Sequence, residues 1–196
     1  MPPFTPIAVK DNTLSCVLRD HTLDGLGLWS QVVAKGEPIL AAPIRLEGRA
    51  NGRPLEWKTP AAPRFTTKAG HETTLEGEAV SAVLTAKTRC LWDYDGMMKV
   101  DLDLTPVGDG QVEELELVIP VRASVATLMH STTATRSNPS MEIPAGTGVV
   151  WDSRAMVQTV GKGSFTPYIW IGGVERGVCW FADNDRGWEL ALDDKG

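Results

Sequence analysis

The sequence is poor in cysteine and histidine, and it has no long apolar run and no excess of positive charge. Each shortage excludes something. Three cysteines, Cys16, Cys90 and Cys179, are odd in number and widely spaced, so they are not a disulfide framework. No CxxC pair suggests zinc, and His21, His71 and His130 lie far apart with no metal-ligand spacing. No apolar run approaches a membrane-spanning helix; Tyr168 to Ile171 is a strand's worth. Lys and Arg total 19 against 25 Asp and Glu, a formal charge of −6. A nucleic-acid groove needs a basic patch, which this balance argues against. There is no GxSxG elbow for a serine nucleophile. Gly25-Leu26-Gly27 is too short for a dinucleotide loop, and no helix follows it. Met1-Pro2-Pro3-Phe4 lacks the charged and apolar regions of a secretory signal. The expectation is no cofactor, no metal, no nucleic-acid partner and no membrane partner, with the compartment left open.

What is present is tryptophan and alternation. The seven tryptophans are Trp29, Trp57, Trp92, Trp151, Trp170, Trp180 and Trp188. Tryptophan marks large packing surfaces, and exposed on a sheet it also marks surfaces where a sugar ring can stack. Trp170 and Trp180 sit in apolar runs and read as core; Trp188 reads as the most exposed. Ala82, Leu84, Ala86, Thr88, Cys90 and Trp92 share one face of a period-2 run that ends at Asp95-Gly96, a hairpin turn. Val100, Leu102 and Leu104 alternate with Lys99, Asp101 and Asp103, and Leu115, Leu117 and Ile119 with Glu114, Glu116 and Val118. These three runs read as a meander of half-buried strands. Further strands are expected at 14–18, 26–33, 44–46, 55–57, 73–80, 149–151, 155–160, 165–171 and 177–181, with a hairpin tip at Ala50–Arg53. No helix of three turns with caps is legible; Arg122–Met129 shows only a short helical face. The 196 residues therefore read as one all-β domain, a large antiparallel β-sandwich of supersandwich type with few or no helices.

The densest polar cluster is Asp183-Asn184-Asp185-Arg186-Gly187-Trp188-Glu189. Its Asp, Asp and Gly spacing is like the start of a calcium loop, but no glutamate stands at the required distance. A plain turn holding an Asp–Arg pair is the simpler reading. Glycoside hydrolysis needs two carboxyl groups roughly 5–9.5 Å apart across the sugar. Asp93 with Asp95, or Asp183 with Asp185, could meet that separation, yet acidic residues in turns are commonplace. No catalytic residue is assigned.

The stretch Pro167-Tyr168-Ile169-Trp170-Ile171-Gly172-Gly173-Val174-Glu175-Arg176-Gly177-Val178-Cys179-Trp180-Phe181-Ala182-Asp183-Asn184-Asp185-Arg186-Gly187-Trp188 is distinctive. With Tyr94–Val100, Leu115–Pro120 and Leu128-Met129-His130, it resembles the N-terminal β-sandwich domain of bacterial proteins related to glycoside hydrolase family 123. The second half of the chain carries most of the resemblance. It implies a modular parent in which a sandwich precedes a (β/α)-barrel. That barrel acts on β-linked N-acetylgalactosamine, using an Asp–Glu pair and the substrate's acetamido group. No part of this chain matches the barrel, so the resemblance implies an excised, non-catalytic accessory domain and transfers no catalytic residue. Asp183, Asp185, Arg186 and Trp188 are the candidates for contact with a carbohydrate or with the adjacent catalytic domain, because loops carry binding more often than scaffolds do. The alternatives are an autonomous carbohydrate-binding module, an enzyme with its own carboxylate pair, and a purely structural module.

Overall fold

The computed structural model describes residues 3–132, 140–153 and 165–188. Within them the chain is all-β: there is no helix, and every strand ladder is antiparallel. Two compact units divide at Pro120 and Val121.

The first unit holds three sheets. Strands β1 (Ala8–Lys10), β2 (Thr13–Cys16), β3 (Arg19–Leu23), β4 (Trp29–Ala34) and β5 (Glu37–Pro38) form a five-stranded meander. The short strand β6 (Arg45–Ala50) turns at Asn51-Gly52 into β7 (Arg53–Pro54). Both turn residues have positive φ, 51° and 72°. Asn and Gly tolerate that region best, which is why this tip was legible in the sequence. A second meander comes next: β8 (Arg64–Lys68), β9 (Glu72–Val80), β10 (Leu84–Asp93) and β11 (Met98–Pro106). Strand β12 (Val112–Val118) does not continue it. It pairs instead with β6, so the three-run meander expected from alternation is β9-β10-β11, not β10-β11-β12.

The two meanders face each other across one core. Leu14, Cys16 and Leu23 come from the first sheet; Leu75, Cys90 and Trp92 come from the second. All six are buried, and Leu14, Leu75, Cys90 and Trp92 are fully so. This is the face-to-face packing of a sandwich, driven by the apolar area removed from water. Gly77 permits the closest approach: a Cβ there would fall on the backbone of Leu26, in the turn between β3 and β4. Only a residue without a side chain lets that turn lie on the sheet.

The core face of β11 is less covered than its alternation suggests. Val100 packs against the core, but Leu102 and Leu104 are about 40 % exposed (39% and 41%). The physical reason is position: β11 is the edge strand of its sheet.

The second unit is a four-stranded sheet in the order β14 (Ser140–Glu142), β13 (Leu128–Thr132), β15 (Tyr168–Gly172), β16 (Gly177–Phe181). The helical face expected over 122–129 is a single turn, closed by Val125 and Ala126 donating to the Arg122 carbonyl, before β13 begins. Residues 149–151 and 55–57 form no strand. The strand expected over 155–160, the tip at 161–163, most of the 131–139 loop, Glu189 and the C-terminal Asp193-Asp194-Lys195-Gly196 lie outside the described residues.

Candidate functional site

The acidic turn leaves β16, the edge strand of the second unit's sheet. Ala182 donates its N–H to the Pro167 carbonyl at 2.9 Å, which closes the β15–β16 hairpin just before the turn. Asn184 then sets the path of residues 185–188. Its Oδ1 accepts the Arg186 N–H at 3.0 Å, and the Trp188 N–H donates to the Asp185 carbonyl at 3.0 Å. Asn side chains commonly mimic a backbone turn in this way. Gly187 takes a φ of 76°, with open space where a Cβ would stand. Trp188 is 49% exposed and rests edge-on against Trp180, ring centroids 5.4 Å apart at 77°.

Asp183, Asp185, Arg186 and Trp188 are thus gathered into one exposed turn. Among the described residues no ion pair joins Arg186 to either aspartate, so the Asp–Arg pair of the simple turn reading is replaced by the Asn184 cap. No group of three or more His, Cys, Asp or Glu placed to hold a metal ion occurs among the described residues.

Asp93 and Asp95 have a local task. The Asp93 carboxylate accepts the Tyr94 N–H at 2.6 Å, and the Asp95 carboxylate accepts the Met97 N–H at 2.8 Å. Both hold the β10–β11 hairpin, and Gly96, just after Asp95, takes a φ of 88°. The thiols are equally occupied by structure. Burial pushes the Cys90 thiol up to about 11 and raises Cys16 and Cys179 as well. A protonated thiol is a poor nucleophile. His21 is buried between Trp29 and Trp92, and burial lowers its pKa to about 4.

A depression of about 560 Å³ lies on the solvent side of the second meander, beside Pro60-Ala61-Ala62. Strand register explains its lining. One row across the four strands reads Arg64, Glu76, Arg89, Asp101; the next reads Glu78, Lys87, Asp103. Opposite charges directly across antiparallel strands stabilise the pairing by a few tenths of a kcal/mol each. Arg64 and Glu76 form an ion pair. The depression is therefore a solvated charge ladder, and aromatic side chains are absent from its lining.

The sequence pattern did not reveal the exposure of two tryptophans read as core. Trp170 and Trp180 are only half-buried. Exposure depends on which sheet covers a strand, and an apolar run such as Tyr168–Ile171 does not encode that.

The fold and this exposed turn define an all-β chain built of antiparallel sheets, with its most distinctive residues on the surface. The chain belongs to the domain family described as "Glycoside hydrolase 123, third domain", whose model matches residues 7–187. The match includes Asp183, Asp185 and Arg186 and ends just before Trp188. Its description names a third domain, whereas the sequence resemblance implied an N-terminal one. No curated protein matches the chain.

Proposed function

We propose that this chain is a non-catalytic accessory module of a glycoside hydrolase, one β-sandwich domain excised from a larger protein, which supports or flanks a separate barrel that performs the chemistry. The observation that carries this reading is the family match over residues 7–187, read together with the local duties of the carboxylates. Asp93 and Asp95 cap a hairpin, and the Asp183–Trp188 turn stands clear on the surface. A surface turn of this kind suits contact with the adjacent catalytic domain. Trp188 supplies a half-exposed ring, and Asp183, Asp185 and Arg186 supply charges with no ion-pair partner among the described residues. Interfaces of this type draw most of their energy from a few aromatic and arginine residues.

The expected result is specific. Replacing Asp185, Arg186 and Trp188 together by alanine in the full-length parent lowers activity or thermal stability, because one anchoring aromatic and one arginine are lost. Truncation of such an anchor costs about 2 kcal/mol or more. Steady-state hydrolysis and a thermal melt of the parent check it. Unchanged activity together with an unchanged melting temperature would sink the interface assignment.

A further inference from the structure

One face of the second unit's sheet is aromatic and half-open. Successive strand residues point to opposite faces. Tyr168 and Trp170 therefore share a face on β15, Cys179 and Phe181 on β16, and His130 and Thr132 on β13. Register agrees: Tyr168 lies opposite Phe181 and Thr132, and Trp170 lies opposite Cys179 and His130. So does the contact of Tyr168 with His130, edge-on at 5.8 Å. The Trp170 indole occupies the space that side chains at Gly172 and Gly177 would fill; Cβ atoms there would stand 2.5 and 2.9 Å from its ring. Two glycines directly across from each other thus make a bed for the indole on the sheet. Phe181, next to Tyr168, is 51% exposed.

We infer that this face is a stacking platform for a neutral saccharide, with Trp170, Tyr168 and Phe181 as its rings. The chemistry of the face selects that ligand. Its aromatic rings are interleaved with small hydroxyl, imidazole and thiol groups: Thr132, His130, Cys179 and Ser140. Ser140 is bonded to His130 Nδ1 at 2.6 Å, which fixes the imidazole. The described strand residues of this face include no lysine, arginine or aspartate, and Glu142 stands at its far end, opposite Leu128. A purely apolar partner surface would strand these polar groups without hydrogen bonds, at a cost for each. A charged ligand would find no opposite charge among the three rings. A pyranose satisfies both kinds of group, since it presents C–H bonds on its faces and hydroxyls around its rim. The platform is separate from the Asp183–Trp188 turn, because Trp188 packs on Trp180, whose side chain lies on the opposite face of β16.

The test is a titration of the 196-residue chain with methyl β-D-galactopyranoside and with its 2-acetamido-2-deoxy analogue, followed by the indole N–H resonances. Saturable shifts at Trp170 are expected with at least one glycoside. Phe181→Ala should weaken binding about tenfold, the loss of one aromatic contact worth about 1.4 kcal/mol. Phe181 is half-exposed, so this variant folds even if Trp170→Ala does not. Tyr168→Phe keeps its ring and should bind better than Tyr168→Ala. Absence of a saturable shift with both glycosides overturns the inference, and so does binding that Phe181→Ala leaves unchanged. Neither result bears on the accessory role, which is read in the parent enzyme.

Discussion

Trp92→Ala is expected to lower the stability of the 1–120 unit by about 3–5 kcal/mol, the range for emptying a large aromatic site in a packed core. Trp92 is the largest of the fully buried side chains. It lies at the end of β10 opposite Thr73, packs with Leu14, Cys16, Leu23, Leu75 and Cys90, and meets His21 edge-on at 4.9 Å. The neighbours close only partly on the space it leaves, because Leu14, Leu23, Leu75 and Cys90 are held in place by the ladders of their own sheets. A loss of this size is a large part of the stability of an ordinary domain. Urea unfolding followed by far-ultraviolet circular dichroism measures it. A change below 1 kcal/mol would mean that the two sheets do not share this core.

The second large effect is a loss of stability in acid, centred on His21. Its ring is 2% exposed and wedged between Trp29 at 5.0 Å and Trp92 at 4.9 Å. Nδ1 has no hydrogen-bond partner among the described residues. Burial is the main cause of its lowered pKa; Arg19 adds to it, while Asp20 and the Leu14 backbone oppose it. The imidazole is therefore neutral in the fold down to about pH 4, whereas the unfolded chain takes up a proton near 6.5. Between those values the unfolded state binds more protons, so stability rises with pH. The contribution is complete above pH 6.5 and is lost as pH falls toward 4. The full effect is roughly 3 kcal/mol, and about 2 kcal/mol of it falls between pH 6.5 and 5. Denaturation midpoints at these two pH values check it. His21→Leu, which keeps a buried apolar side chain, should remove this part of the pH dependence.

What the sequence showed was local. The alternation of Leu84–Trp92 marks one face of β10, and every even residue from Leu84 to Trp92 is buried. Asn51-Gly52, Asp95-Gly96 and the glycine turn before Arg176 end their strands where turn chemistry put them. Strands β3 and β8 were missed for a physical reason. Arg19–Leu23 and Arg64–Lys68 carry polar and charged residues on their open faces, so neither shows an apolar stripe. The partner of β12 could not be read either. Its alternation fixes a wet face and a dry one, but not whether β11 or β6 lies beside it. The same limit governs the candidate sites. Asp183, Asp185, Arg186 and Trp188 were legible as one turn because they are adjacent in sequence. The face carrying Trp170, Tyr168 and Phe181 was not, because it depends on the register of β15 with β16 and on what leaves those strands uncovered.

The most direct test is hydrolysis of an aryl 2-acetamido-2-deoxy-β-galactoside by the purified 196-residue chain, set beside the full-length parent. A non-catalytic module predicts release by the parent and none above the uncatalysed rate by the chain. Turnover by the chain alone that is abolished by Asp183→Asn or by Asp93→Asn would contradict the account, for it would place a working carboxylate in residues that the structure gives to turns.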